Sequence, residues 1–242
     1  MAKLRLDKLL ADTGRWSRKE AKELIRQGRV KVNGETARSG EEKHETQGLS
    51  LQVDGEEAGY ASFRYIMLHK PGGILSATED RRQRTVLDLL PEELRRQDLF
   101  PVGRLDKDTE GLLLLTNDGA LAHRLLAPRS HVDKVYLARV EGQPDGADAA
   151  AFAEGMVLDD GLRCMPAGLE PMEDGWCKVT LREGKFHQVK RMLAQRGKPV
   201  IYLKRLSMGP LELDPQLPPG GYRPLTPAEE GALLACDGTM KK

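Results

Sequence analysis

Asp106 sits in the run Gly103-Arg104-Leu105-Asp106-Lys107-Asp108-Thr109-Glu110-Gly111, and four leucines, Leu112 to Leu115, follow at once. A carboxylate can attack a carbon centre or accept a proton from one, provided it is held in a fixed pose. A polar loop that runs straight into an apolar strand holds a side chain that way, at the edge of a core. Arg104, two residues earlier, sets a cation beside it. Acidic residues in glycine-bounded loops are also ordinary turn formers. Asp108 and Asp118 read as turn residues, and Glu110 as a surface group. Two more cations, Lys190 and Arg191, fall in a segment with helical period whose apolar stripe centres on Val189 and Leu193. At about 100° per residue, Lys190 flanks the core side of that stripe while Arg191 and His187 point away from it.

The chain around these groups has 242 residues, 38 Lys and Arg against 37 Asp and Glu, and a net charge of +1. That length suits one large domain, or a small one plus a medium one. Met1 to Arg5 lack the apolar stretch of a secretory signal. No segment reaches the roughly 18 apolar residues of a membrane helix. Cys164, Cys177 and Cys236 are far apart and odd in number, matching neither a disulfide framework nor a zinc site. A cytoplasmic protein with reduced thiols is expected. The charge is unevenly spread: in residues 1–38 Lys and Arg clearly outnumber Asp and Glu. Such a block is either a solvated face or a footprint for a polyanion.

Residues 3–13 read as a short helix with Leu6, Leu9 and Leu10 on one stripe. Ser17 and Glu20 form a capping box that opens a second helix, which Gly28 stops. Arg18, Lys22, Arg26 and Arg29 recur at spacings of four, four and three, a shared basic stripe. Arg29 to Val32 alternates as a strand into an Asn33-Gly34 turn. Leu49 to Val53 is another strand candidate, and Asp54 to Ser62 reads as a linker. Beyond Phe63, strands are expected at Tyr65–Leu68, Leu112–Leu115, Val135–Val140 and Cys177–Arg182. Helices are expected after Asn117-Asp118-Gly119 and over residues 147–155 and 186–196. Thr226 and Glu229 cap a short last helix. Short strands with a few helices between them predict an α+β fold with a mixed, largely antiparallel sheet.

Arg5-Leu6-Asp7-Lys8-Leu9-Leu10, Ser17-Arg18-Lys19-Glu20-Ala21 and Ile25-Arg26-Gln27-Gly28-Arg29-Val30-Lys31-Val32-Asn33-Gly34 together resemble the small α/β RNA-binding module named after ribosomal protein S-four. By that resemblance Arg5, Arg18, Lys22, Arg26 and Arg29 are RNA contacts, which a basic helix face suits because each neutralised phosphate releases counterions.

The remaining motifs resemble a second family. Gly103-Arg104-Leu105-Asp106-x-Asp108-Thr109-x-Gly111-Leu112-Leu113 resembles the catalytic motif of the RsuA-type ribosomal RNA pseudouridine synthases. Lys70-Pro71-x-Gly73, Lys134-Val135-Tyr136, Glu183-Gly184-Lys185-Phe186-His187-Gln188-Val189-Lys190-Arg191-Met192-Leu193 and Gly221 to Thr226 resemble further motifs of that family, in order along the chain. The resemblance implies the pseudouridine synthase fold over residues 63–232, an RNA-binding domain with its linker over residues 1–60, and a tail at residues 233–242. It makes Asp106 the essential carboxylate, Arg104 a contact of the flipped nucleotide, and Tyr136 the ring against the target base. It also implies a cation beside Asp106. The helix geometry favours Lys190 for that place, leaving Arg191 as a phosphate contact or the alternative partner. His187 is open to a base role, but the resemblance implies no histidine base, which favours a structural or RNA-contacting one.

This chemistry needs few groups. Uridine isomerisation breaks the bond from ribose to base nitrogen, turns the base and rejoins it through carbon. No metal or cofactor is required. A charged carboxylate, an opposite charge that keeps it ionised, an aromatic ring for stacking and the energy to unstack the nucleotide suffice. Lys70 and the loop cluster Arg81, Arg82 and Arg84 are further expected RNA contacts. The expected substrate is ribosomal RNA, within an assembling small subunit, and the expected state a monomer. His187-Gln188-Val189-Lys190-Arg191-Met192 resembles the small-subunit branch more than the large-subunit one. A large-subunit synthase and a non-catalytic ribosome assembly factor are the other readings.

Overall fold

A computed structural model of the chain describes residues 3–46, 48–58, 63–127 and 130–236. The chain divides into two compact units, and the division is discontinuous: Leu87–Phe100 groups with the N-terminal residues up to Arg64, and Tyr65–Val86 with Pro101 onward forms the other.

The N-terminal unit runs β1 (Lys3–Arg5), α1 (Leu6–Ala11), α2 (Arg18–Arg26), β2 (Val30–Val32), β3 (Glu35–Thr36), β4 (Lys43–Glu45), β5 (Leu51–Val53) and β6 (Glu56–Glu57), with α3 (Glu92–Arg95) from the later segment. The sheet order is β3-β2-β5-β6, and β1 pairs separately with β4. Leu6, Leu9, Leu10, Ala21, Leu24 and Ile25 pack against Val30, Val32, Leu51 and Val53 in one apolar cluster. Two expectations change here. Lys3–Arg5 is a strand rather than the first turn of a helix, because its backbone pairs with Lys43–Glu45. The stretch expected as a linker contains β6, and Ala58 is buried with its N–H on the Leu51 carbonyl; residues 59–62 lie outside the described residues. The Ser17 capping box is present, with both of its hydrogen bonds.

The second unit runs β7 (Tyr65–Lys70), β8 (Phe100–Pro101, whose Phe100 falls on the other side of the division), β9 (Glu110–Thr116), α4 (Gly119–Leu126), β10 (Lys134–Val140), α5 (Gly146–Glu154), β11 (Gly168–Pro171), β12 (Trp176–Leu181), α6 (Gln188–Gln195), β13 (Val200–Met208), β14 (Leu211–Glu212), β15 (Tyr222–Pro224) and α7 (Pro227–Ala235). Its main sheet has the order β11-β12-β10-β13-β9-β7-β15. Every neighbouring pair on that path is antiparallel except β9 with β13. This is an α+β fold with a mixed, largely antiparallel sheet. Leu112 to Leu115 are buried on both faces of β9, as a central strand requires. The long strand β13 was not foreseen, although its β-branched and aromatic start suits a strand.

Gly111 makes the parallel pairing of β9 with β13 possible. Its φ is +106°, and a Cβ there would sit 2.2 Å from the Arg205 carbonyl oxygen of β13. Only glycine fits that backbone and that approach. The tail expected from residue 233 begins later, because α7 runs to Ala235 and buries Leu233. No helix among the described residues is long and apolar enough to cross a membrane.

Candidate active site

Four segments of the second unit meet around Asp106, and backbone hydrogen bonds hold its loop. The Ser76 hydroxyl donates to the Leu105 carbonyl at 2.9 Å and accepts from the Leu105 N–H at 3.1 Å. The Thr109 N–H returns to the Asp106 carbonyl at 3.1 Å, closing a turn, and the Gly73 N–H reaches the Lys107 carbonyl at 2.8 Å.

Lys70 supplies the centre of this scaffold. It is fully buried, and its ammonium donates to the carbonyls of Thr109 at 2.8 Å, Pro71 at 3.0 Å and Lys107 at 3.1 Å. Three donors thus meet three acceptors, the whole capacity of the group. Burial pushes its pKa down to about 8, while Asp108, Glu110 and Asp106 favour the charged form. The expectation that Lys70 contacts RNA is therefore corrected: an ammonium with no exposed surface cannot reach a phosphate, and this one anchors the Asp106 loop.

Asp106 is about a quarter exposed, and its Oδ2 lies 3.2 Å from Lys190 Nζ. Lys190 is the third residue of α6, a helix that buries Val189, Met192 and Leu193. Burial disfavours its charge, but hydrogen bonds to Asp108 and Asp106 outweigh this and raise its pKa. Arg191 turns the other way and pairs with Asp160 at 2.6 Å. Of the two cations that could serve Asp106, the fold brings only Lys190 to it.

Asp108, expected as a turn residue, is corrected. Its Oδ1 lies 2.5 Å from Lys190 Nζ, and that hydrogen bond holds its carboxyl below the usual range. Glu110 likewise accepts from the Tyr202 hydroxyl at 2.8 Å. His187, expected to face away from the apolar stripe in a structural or RNA-contacting role, is brought to the Asp106 carboxylate instead. Its Nε2 lies 3.5 Å from Asp106 Oδ1, an ion pair only when the imidazole is doubly protonated. The helical wheel misplaced it because His187 precedes α6 and has left-handed backbone angles, φ 50° and ψ 32°.

Tyr136 is buried on β10, on the same face as Lys134 two residues earlier. It lines a small cavity with Arg104, Asp106, His187 and Lys190. An adjoining cleft of about 650 Å³ takes in Ser76, Arg104, Asp106, Lys134 and Phe186. Clefts of this size hold small ligands or a single nucleotide. Arg104 stands exposed at the rim. Lys134 donates to the Val132 carbonyl at 2.9 Å, and burial, with the like charge of Arg205, pushes its pKa down to about 8. Arg205 itself is buried and donates to the Leu112 carbonyl at 2.8 Å. No cluster of three or more His, Cys, Asp or Glu side chains among the described residues could hold a metal.

The expected RNA contacts divide. Arg81, Arg82 and Arg84 are exposed in the loop after β7. Arg18 is exposed on α2, and Lys22 is exposed with its Nζ 3.8 Å from the buried Asp7. Arg26 is paired with Glu23 at 2.6 Å. Arg29 lies beyond the end of α2 rather than on its stripe, and clasps Asp54 through Nε at 2.8 Å and Nη2 at 2.5 Å. Arg5 holds Asp7 through Nε at 3.1 Å and Nη2 at 2.8 Å, and reaches Glu41. Arg5 thus neutralises a buried carboxylate, which accounts for its presence without RNA.

Residues 64–195 match the family model described as RNA pseudouridylate synthase, and residues 4–43 match that of the S4 domain. A Bacillus subtilis protein named as an uncharacterized RNA pseudouridine synthase is 48% identical over 230 residues, covering 93% of this chain and 96% of its own. The ribosomal small subunit pseudouridine synthase A of Pseudomonas aeruginosa is 46% identical over 231 residues, covering 94% and 98%. A crystal structure of a pseudouridylate synthase is similar with a TM-score of 0.68 at 38% identity, over 95% of this chain and 99% of that one.

Proposed function

This chain belongs to the RNA pseudouridylate synthase family, and we propose that it isomerises a uridine of small-subunit ribosomal RNA with Asp106 as the catalytic carboxylate. One observation carries the reading: Asp106, 3.2 Å from Lys190, faces a cavity that Tyr136 and Arg104 also line. The names of relatives such as the Pseudomonas aeruginosa protein support the small subunit as the target.

In this reading the target nucleotide leaves its stack, at a cost of a few kcal/mol, and enters the cleft. The bond from the ribose anomeric carbon to N1 breaks, the uracil turns, and C5 joins the same carbon. The proton leaving C5 is balanced by one taken up at N1, so nothing is oxidised. Asp106 acts on the sugar, as nucleophile or as base. Lys190 sets a positive charge beside it, Tyr136 stacks on the turning base, and Arg104 lies against the flipped nucleotide. Arg81, Arg82 and Arg84 in the loop, with Arg18 and Lys22 on the N-terminal unit, hold phosphates and offset the unstacking cost. One chain carries every site residue, so a monomer suffices. In this reading the RNA is that of an assembling subunit in the cytoplasm.

The test maps pseudouridine in ribosomal RNA from cells with the protein, without it, and with Asp106→Asn. One small-subunit uridine should stay unmodified in the last two. A large-subunit position would overturn the choice of subunit. An unchanged map in cells lacking the protein would overturn the whole reading, and full modification by Asp106→Asn the role of that carboxylate.

A further inference from the structure

Phe186 is the most exposed large hydrophobic side chain among the described residues, at 73%. Single apolar residues on a surface are common and need no function. The surroundings of this one are unusual. Its ring stacks on that of His187, with centroids 3.8 Å apart and planes 19° from parallel. His187 has left-handed backbone angles, which histidine adopts more readily than most residues other than glycine, and its Nε2 lies 3.5 Å from Asp106 Oδ1. Both rings border the cleft that contains Arg104, Asp106 and Lys134. One face of Phe186 is thus covered and fixed, and its exposure leaves the other open to solvent beside a cation-lined cleft.

We propose that the open face of Phe186, backed by His187, stacks on an unpaired nucleobase next to the uridine in the Asp106 cleft. The inference rests on the reading of that cleft as the uridine site. When a nucleotide flips out, its neighbour loses a stacking partner. An aromatic face at the cleft rim replaces it, and the cations of the cleft favour the same polyanionic strand. Because every base has a π-face, the contact tolerates any base and holds purines more strongly. It explains why a phenyl ring stays in water here, stacked on His187 at the cleft rim.

The test compares wild type, Phe186→Leu and Phe186→Trp on ribosomal particles and RNA from cells lacking the protein, labelled with tritium at uridine C5. Phe186→Leu should raise KM about five- to 140-fold, the equivalent of the ~1–3 kcal/mol of one base–aromatic stack, with kcat within about twofold and an unchanged melting temperature. Phe186→Trp should keep KM within about twofold, and its added emission should be quenched on mixing with the RNA. An unchanged KM in Phe186→Leu, or no quenching beyond that of wild type, overturns the proposal. If wild type released no tritium, the reading of the cleft as the uridine site would fail instead, and the quenching would still decide whether Phe186 meets a base.

Discussion

Lys190 Nζ stands 2.5 Å from Asp108 Oδ1, nearer than the 3.2 Å that separates it from Asp106. One ammonium therefore serves two carboxylates of the same loop. Asp108 is largely exposed and Asp106 is not, so the two anchor Lys190 from the solvent side and the cleft side. A compact charge with three donors suits this better than a planar guanidinium, which favours two-pronged binding of one carboxylate.

The two aspartates should separate in their variants. Asp106→Asn should lower turnover by at least about a thousandfold at unchanged melting temperature, because the reacting group is gone. Asp108→Asn keeps an acceptor for Lys190 and should cost no more than about tenfold. Tritium release from uridine C5 measures both; equal losses would contradict the division of roles.

Replacing the cation tests the same cluster through charge. Lys190→Met should slow turnover by about a hundredfold, the scale of removing one electrostatic contact. The Asp108 carboxyl, held low by its hydrogen bond to Lys190, should return to the ordinary range in an NMR titration. Arg191→Ala, which removes a partner of Asp160, should leave both quantities nearly unchanged.

Lys70 should act through the loop rather than through RNA. Lys70→Met leaves three carbonyls without their donor and should cost about 2–5 kcal/mol of stability by denaturant unfolding. Burial pushes the native pKa of Lys70 down to about 8, against about 10.4 in the unfolded chain. Between those values the unfolded state binds more protons, so wild-type stability rises with pH and the gap to Lys70→Met should widen. A gap that narrows over this window would contradict the assignment.

Gly111→Ala should destabilise by about 4 kcal/mol or more, since the new methyl group meets the Arg205 backbone at 2.2 Å in a backbone conformation with φ +106°. Gly119→Ala, in α4 with nothing within 4 Å of the added carbon, should be neutral or slightly stabilising. Thermal melting distinguishes them.

On the N-terminal unit, Arg18→Ala with Lys22→Ala should weaken RNA binding and flatten its dependence on log salt by roughly 1.4, about 0.7 for each single-strand phosphate contact. Arg26→Ala, whose guanidinium already holds Glu23, should change the slope less.

Much of this protein was legible in local sequence. The capping boxes at Ser17 and Thr226 formed as their residues predict. The leucine run became a central strand, and the stripe through Val189 and Leu193 put Lys190 on the core side of α6. These features depend on residues a few positions apart, where period and side-chain chemistry decide the outcome. Contacts between distant segments were legible only where the family resemblance implied them, as for Asp106 and Lys190. That Lys70 is an internal anchor depends on three carbonyls converging on it from two segments. The place of His187 depends on one residue leaving the helical path just before α6. The sharing of Lys190 by Asp106 and Asp108 depends on α6 meeting a loop some eighty residues earlier in the chain. Sequence determined which groups could carry charge and which elements bear them. Tertiary structure decided which charges meet, because an ion pair forms only where the backbone brings its partners within a few ångströms and burial leaves them little water as an alternative.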